Sequence, residues 1–242
     1  MSFFAREPFA DTERLIRAAN MAYDLDRRCQ GMSAREIVAL ACRTYSDRLT
    51  LVSSFGTEAA VLLHLVAQID RDLPVTFVDT QRLFGETLRY RDDLVSRLGL
   101  TSVHVARPDP VRLREVGADM LQFQRDSGLC CYVRKVEPLQ RALRPYDAWI
   151  SGRKRFQAAT RTHLPIVEAA DGRAKFNPLA DWSKADIDAY FTACDLPRHP
   201  LEAEGYLSLG CMPCTDRVAP GEDARAGRWR NSQKTECGIH TD

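Results

Sequence analysis

No run of apolar residues in the 242-residue sequence approaches the roughly 18 to 20 that a membrane-spanning helix needs. Net charge is scarce as well. The 34 Lys and Arg against 33 Asp and Glu leave +1, so no overall basic field favours nucleic acid or an anionic membrane. Lysine is rare within that total, five against 29 Arg, which makes any single arginine cluster weak evidence of a site. Neither G-x-x-x-x-G-K-[ST] nor G-x-G-x-x-G occurs, which disfavours a Walker NTPase and a dinucleotide dehydrogenase. There is no internal repeat, low-complexity block or long flexible linker. The start, MSFFAREPFADTERL, lacks the basic-then-apolar order of a signal peptide, so the cytoplasm is the expected compartment. There, cysteines are commonly metal ligands or reactive thiols rather than disulfides, and this chain has eight.

What is present describes an α/β protein. Hydrophobic residues make up 45% and charged residues 28%, enough for a sizeable core in one domain. Residues 1–47 read as a helical segment. Leu15, Ile16, Ala19 and Ala22 keep helical spacing, and Ser33 with Glu36 forms a capping box before IVALAC. Strand and helix patterns then alternate: Arg48–Ser53, TEAAVLLHLVAQI, Pro74–Asp79, ETLRYRDDLVSRLG ending at Gly99, Ser102–Ala106, a helical stretch over 131–143, and Ala148–Ser151. Such alternation predicts a doubly wound, mainly parallel sheet over 48–194, with ligands at the carboxyl ends of its strands. Residues 195–242, rich in Pro and Gly and weak in periodicity, read as an irregular segment folded over the sheet and its site.

The cysteines divide into two groups. Cys29, Cys42 and Cys194 lie in helical patterns and read as small buried hydrophobes. Cys130 and Cys131 are adjacent, and Cys211 and Cys214 form C-M-P-C. Together these four could complete a four-sulfur site. Neighbouring side chains diverge and sit poorly in one tetrahedron, whereas an iron–sulfur cube offers them separate irons. That favours iron–sulfur over zinc or a redox dithiol, with all three still open. Cys237 stands apart in E-C-G-I-H.

Three stretches could hold an anion. Ser53, Ser54, Phe55 and Gly56 form a small-residue turn between a strand and a helix, where backbone N–H groups and the helix dipole favour negative charge. An ordinary strand-to-helix turn would read the same way. Arg153, Lys154, Arg155 and Arg161 follow the fourth strand, and Arg225, Arg228 and Arg230 lie in the tail. Arginine forks match sulfate and phosphate oxygens, although a solvated surface run is an equal reading of each. Lys135, four residues after Cys131, is more telling.

Taken together, SSFGTEAAVLLHLV, VDTQRLFGET, CCYVRKVEPLQRALR, ISGRKRFQ, HPLEAEGYLSLGCMPC, ARAGRW and KTECGIH, in that order from residue 53 to 240, resemble one family. The chain is similar to the thioredoxin-dependent sulfonucleotide reductases of sulfate assimilation, in particular the iron–sulfur adenylyl-sulfate (APS) reductases. The resemblance implies an adenine-nucleotide α-hydrolase-like fold and a [4Fe–4S] cluster on Cys130, Cys131, Cys211 and Cys214. It implies Ser53 to Gly56 as the modified phosphate loop, and Lys154 or Arg155 with Arg225 and Arg228 on the phosphosulfate. Lys135 would sit between cluster and substrate, and Cys237 would be the nucleophile with His240 beside it. One departure from the family is that ISGRKRFQ has Lys154 and Phe156 where an Arg and an acidic residue often stand.

The implied reaction is reduction of APS to sulfite and AMP, with thioredoxin or a glutaredoxin-like dithiol as reductant. Cluster-bearing members resemble APS users, and the 3′-phosphorylated substrate, PAPS, is the alternative. An iron–sulfur tRNA-thiolating ATP pyrophosphatase would share the fold and the cysteine theme. Its loop would read SGGxDS, against SSFGTE here, and the balanced charge gives tRNA little to hold. A zinc-stabilised nucleotide sensor is the non-enzymatic alternative. Whether the chain forms a homo-oligomer is not encoded in these features.

Overall fold

The computed structural model describes residues 8–117, 122–230, 234, 236 and 238–239. Cys237 and His240 therefore lie outside the described residues.

The N-terminal segment is helical as expected, with α1 at Pro8–Cys29 and α2 at Ala34–Tyr45. Both halves of the capping box are present. Ser33 Oγ accepts the Glu36 N–H at 3.3 Å, and the Glu36 carboxylate accepts the Ser33 N–H at 2.7 Å. The buried face of α1 differs from the expected one. Ala22, Leu25 and Cys29 are buried, whereas Leu15 and Ile16 are 54% and 55% exposed and Ala19 is exposed.

The α/β pattern then follows. The strands are β1 (Leu49–Ser53), β2 (Val75–Val78), β3 (Val103–Ala106) and β4 (Ala148–Ser151). The first two crossovers carry α3 (Ala59–Ala67) and α4 (Gly85–Leu98), the latter capped by Gly99 at φ +64°. Between β3 and β4 lie α5 (Pro110–Glu115), α6 (Gln122–Arg125), α7 (Ser127–Cys131) and α8 (Glu137–Ala142). Two further strands, β5 (Val167–Ala170) and β6 (Arg173–Phe176), precede α9 (Lys184–Ala193).

The described strands form one sheet in the order β3-β2-β1-β4-β6-β5, parallel except for the β5 edge. The β5–β6 hairpin is an addition to the expected pattern. Its two-residue loop is Asp171-Gly172, with φ +50° and +69°. Asp-Gly with both φ positive is a preferred tight hairpin turn, so the signal was present in the sequence. α1 blunts the exposed edge. Asp26 Oδ1 accepts the Val167 N–H at 2.8 Å, and Arg14 donates to Asp171 O at 3.1 Å.

Alternate residues feed two cores on opposite faces of the sheet. Leu49, Leu51, Val75, Phe77, Ala148 and Ile150 join the larger cluster with α2, α3 and α4. Val78 and Trp149 join Leu139 of α8 and Leu143 just after it in the smaller one. Each large apolar side chain so buried contributes on the order of 1.5–3 kcal/mol.

The stretch 127–142 is not a plain helix. Tyr132–Val136 widens into a π turn, in which the Glu137 N–H donates to Tyr132 O. Pro138 supplies a cause. It has no N–H, and its ring crowds the carbonyl four residues back, so the preceding turn widens. The C-terminal segment after α9 is irregular, as expected. It is tied down by short bridges, Leu83 to Cys211 and Thr215 to Arg228. Gly227 serves as a close-approach point, because a Cβ there would collide with Asp216 O. Among the described residues no helix is long and apolar enough to cross a membrane.

Candidate active site

The carboxyl ends of β1, β2 and β4 open onto a cavity of about 320 Å³. This is where an open α/β sheet binds ligands: the chain leaves β1 for β2 on one side, and β4 lies on the other. Ser53, Ser54 and Gly56 line it. Ser53 Oγ accepts the Phe55 N–H at 3.2 Å, and Phe55 adopts φ +49°, a conformation that non-glycine residues rarely take. That turn sends the Phe55 ring into the core, edge-on to Phe77 at 5.3 Å, so its side chain is not part of the cavity. Leu207 to Gly210 of the C-terminal segment form the facing wall, tied to the loop by the Thr57 hydroxyl, which donates to Leu207 O at 3.1 Å.

The basic residues part company. Arg225, Arg228 and Lys154 line the cavity; Arg155 does not. Arg155 turns instead to Asp181 and to Leu164 O. Lys154 is buried, with Nζ donating to Glu58 Oε2 at 2.8 Å and to Gly152 O at 3.1 Å. Burial pulls its pKa below the usual lysine range, and the Glu58 carboxylate opposes that shift. Arg153 and Arg161 also reach the cavity, the former paired with Glu168. The strand-end rule could have ranked these residues; the charge runs alone could not, because each run holds residues that line the cavity and one, Arg155 or Arg230, that does not.

A second, smaller cavity of about 20 Å³ adjoins the first. Cys130, Cys131, Cys211 and Cys214 all line it, with Arg134, Lys135 and Trp229. α7 carries the adjacent pair to one wall, started by Asp126, whose carboxylate accepts the Leu129 N–H at 2.8 Å. The C-M-P-C turn reaches the other wall through the Met212 N–H, which donates to Arg82 O at 2.7 Å just beyond β2. Every cysteine among the described residues is a free thiol. Burial, then the neighbouring Cys211 and Cys131, pushes the Cys214 thiol up to about 11; burial and Cys131 also raise Cys130. Arg134 opposes the rise at Cys130 and donates to Thr80 O at 3.2 Å, while Thr80 Oγ1 lies 3.2 Å from Cys211 Sγ.

This donor set fits an anionic multi-iron group. Four thiols surround one void beside guanidinium and ammonium groups. The buried indole N–H of Trp229 has no hydrogen-bond partner among the described residues. Among the described residues no group of three or more His, Cys, Asp or Glu side chains is arranged to hold a metal ion.

Lys135 and Trp229 belong to both cavities and form the wall between them. Trp229, not singled out in the sequence, carries the Arg228 guanidinium over its ring at 4.4 Å and donates its backbone N–H to Cys214 O at 3.2 Å. The only hint in the sequence was its place inside ARAGRW. The tail contributes Glu236 and Ile239 to the larger cavity, flanking Cys237 in sequence.

Residues 48–217 match the phosphoadenosine phosphosulfate reductase domain family. The chain is 51% identical over 223 residues to an adenosine 5'-phosphosulfate reductase of Chelativorans sp. (strain BNC1), with 90% of each chain covered. It is 39% identical to a phosphoadenosine 5'-phosphosulfate reductase of Gloeobacter violaceus, covering 89% of this chain and 92% of that one. A crystal structure of phosphoadenylyl-sulfate (PAPS) reductase from Candida auris, in complex with phosphate, superposes with a TM-score of 0.69 at 25% identity, over 81% of this chain and 96% of that one.

Proposed function

Because the chain belongs to the phosphoadenosine phosphosulfate reductase domain family, we propose that it reduces adenylyl sulfate to sulfite and AMP in sulfate assimilation. It is an oxidoreductase acting on a sulfonucleotide. The observation that carries the finer reading is the shared wall. A nucleotide-sized cavity at the strand ends meets a four-thiol cavity across Lys135 and Trp229.

In this reading the nucleotide lies against Ser53, Ser54 and Gly56, with Arg225 and Arg228 on its phosphosulfate and Lys135 facing the same anion. Lys154 acts indirectly, by holding Glu58 and the loop in place. The Cys237 thiolate attacks the sulfur of APS. A new S–S bond forms, the S–O bond to AMP breaks, and AMP departs with the electron pair. Cationic Arg225 and Arg228 favour the thiolate, and His240 is its partner in the tail. A thiolate of a thioredoxin-like dithiol then attacks the Cys237 sulfur. Sulfite leaves with the S–S electron pair, and the second thiol of the dithiol closes a disulfide and frees Cys237. The dithiol supplies both electrons, so sulfur falls from the +6 to the +4 state.

Cys130, Cys131, Cys211 and Cys214 would hold a [4Fe–4S] cluster, which when bound supplies charge and rigidity beside the substrate anion. Relatives at 51% and 49% identity bear the name adenosine 5'-phosphosulfate reductase, and the one at 39% bears the name of the PAPS enzyme, which favours APS with PAPS as the second reading. Sulfite release with thioredoxin, compared between APS and PAPS at limiting substrate, tests the choice. A higher kcat/KM for APS is expected, and a higher value for PAPS reverses it.

A further inference from the structure

Glu236 directly precedes Cys237 in the sequence, and its carboxylate is firmly held on the cavity wall. Arg161 grips it as a fork, with Nε on Oε1 at 2.8 Å and a terminal nitrogen on Oε2 at 2.8 Å. Arg225 reaches Oε2 at 3.3 Å. The side chains of Glu236 and Arg161 are only 10% and 8% exposed. Charges so enclosed persist only when paired, and the bidentate geometry fixes direction as well as distance.

The grip extends into the core of the site. The remaining nitrogen of Arg161 donates to Gln157 Oε1 at 2.7 Å, and the Gln157 amide donates to Glu58 Oε2 at 2.9 Å. Glu58 belongs to the loop after β1 and holds Lys154. A continuous chain of bonds therefore joins the nucleotide loop, the turns after β4 and the tail. Two further contacts flank it. Lys234 Nζ donates to Ser127 O at 2.9 Å on the helix that bears Cys130 and Cys131, and Ile239 packs on the cluster containing Val78 and Trp149.

We infer that the Glu236–Arg161 ion pair is a clasp that seats the Cys237 segment on the nucleotide cavity, which makes Glu236 a positioning residue for sulfonyl transfer. The inference rests on Cys237 being the nucleophile. Arg225 belongs to the clasp and also lines the cavity, so the clasp borders the substrate site directly. The clasp adds nothing to the chemistry of the thiol; it fixes where the thiol-bearing segment sits.

The test uses the iron-loaded protein carrying Glu236→Gln or Glu236→Asp. In Glu236→Gln, amide exchange of the 231–242 peptide should quicken and AMP affinity should hold within about threefold, while S-sulfo adduct formation in rapid-quench samples slows by at least about tenfold, as expected for a misplaced reactant. Glu236→Asp, which keeps the charge, should recover part of both losses. Unchanged tail exchange, or an unchanged adduct rate, overturns the clasp. A wild-type protein that forms no adduct at all would instead overturn the role of Cys237, and the exchange measurement would still decide whether the clasp exists.

Discussion

The two adjoining cavities are built in different ways. The larger one is framed by backbone. Three parallel strands end at one level, and the residues just past them line it because the sheet leaves no other place. The smaller one is framed by side chains. A helix from the middle of the chain and a turn from its irregular end bring four thiols together across 79 intervening residues between Cys131 and Cys211. The first tolerates variation in its loops so long as the strands hold. The second depends on each cysteine and on the contacts that bring its two walls together. Lys135 and Trp229 are where the two arrangements meet.

The largest effect should come from breaking the side-chain-built cavity. With the proposed cluster on the four thiols, Cys211→Ser should lower bound iron from about four per chain to a fraction of that and abolish measurable turnover, while the far-ultraviolet circular dichroism of the sheet persists. Full iron content in that variant would mean the four thiols do not act as one set. Next is the wall. Lys135→Ala should cut kcat by on the order of 10²–10³-fold with AMP affinity nearly unchanged, because the missing cation faces charge that develops in transfer. An effect on KM alone would move Lys135 out of the transition state and into simple binding.

Breaking the backbone-built cavity should first appear as lost stability. Glu58→Gln leaves the buried Lys154 without its counter-charge, which should cost about 3–5 kcal/mol in denaturant unfolding. Replacing both residues by apolar ones should restore most of it, and a lasting deficit would give the pair a role in binding.

A smaller, pH-dependent effect comes from His199, which braces this region from beneath. It is buried, its Nδ1 accepts the Leu201 N–H at 3.2 Å, and its Nε2 lies 3.1 Å from Thr87 Oγ1. Burial pulls the imidazole down to about 4. The unfolded chain then binds the extra proton first. Stability is fully present above about pH 6.5 and drains as pH falls toward 4, by up to about 3 kcal/mol. A melting temperature flat from pH 7 to 4, or the same slope in His199→Gln, would contradict this. The exposed Arg48–Asp147 pair should contribute little to stability, and that little should vanish in high salt.

The same contrast explains what the sequence revealed. Strand ends are legible because Val75, Phe77 and Val78, or Ala148, Trp149 and Ile150, can satisfy two cores only as buried parallel strands. The four thiols were legible by residue type, since adjacent cysteines and C-x-x-C have few other uses in one chain. Direction was not legible. Arg153, Lys154 and Arg155 are consecutive, yet Arg153 and Lys154 reach the cavity and Arg155 does not, and only the path of the chain after β4 decides that. Phe55 looked like part of an anion loop because its neighbours are small; its positive φ sends it the other way. The π turn was hinted at by Pro138 within a helical pattern, and the hairpin by Asp171-Gly172, both local signals outweighed by the longer periodicities around them.

The proposed reaction turns on a covalent step at Cys237. Anaerobic, iron-loaded protein mixed with APS in the absence of any dithiol should gain the mass of one SO3, about 80 Da, on the peptide that contains Cys237, with one AMP released per chain. AMP release without that mass gain, or the gain on a different cysteine, would contradict it.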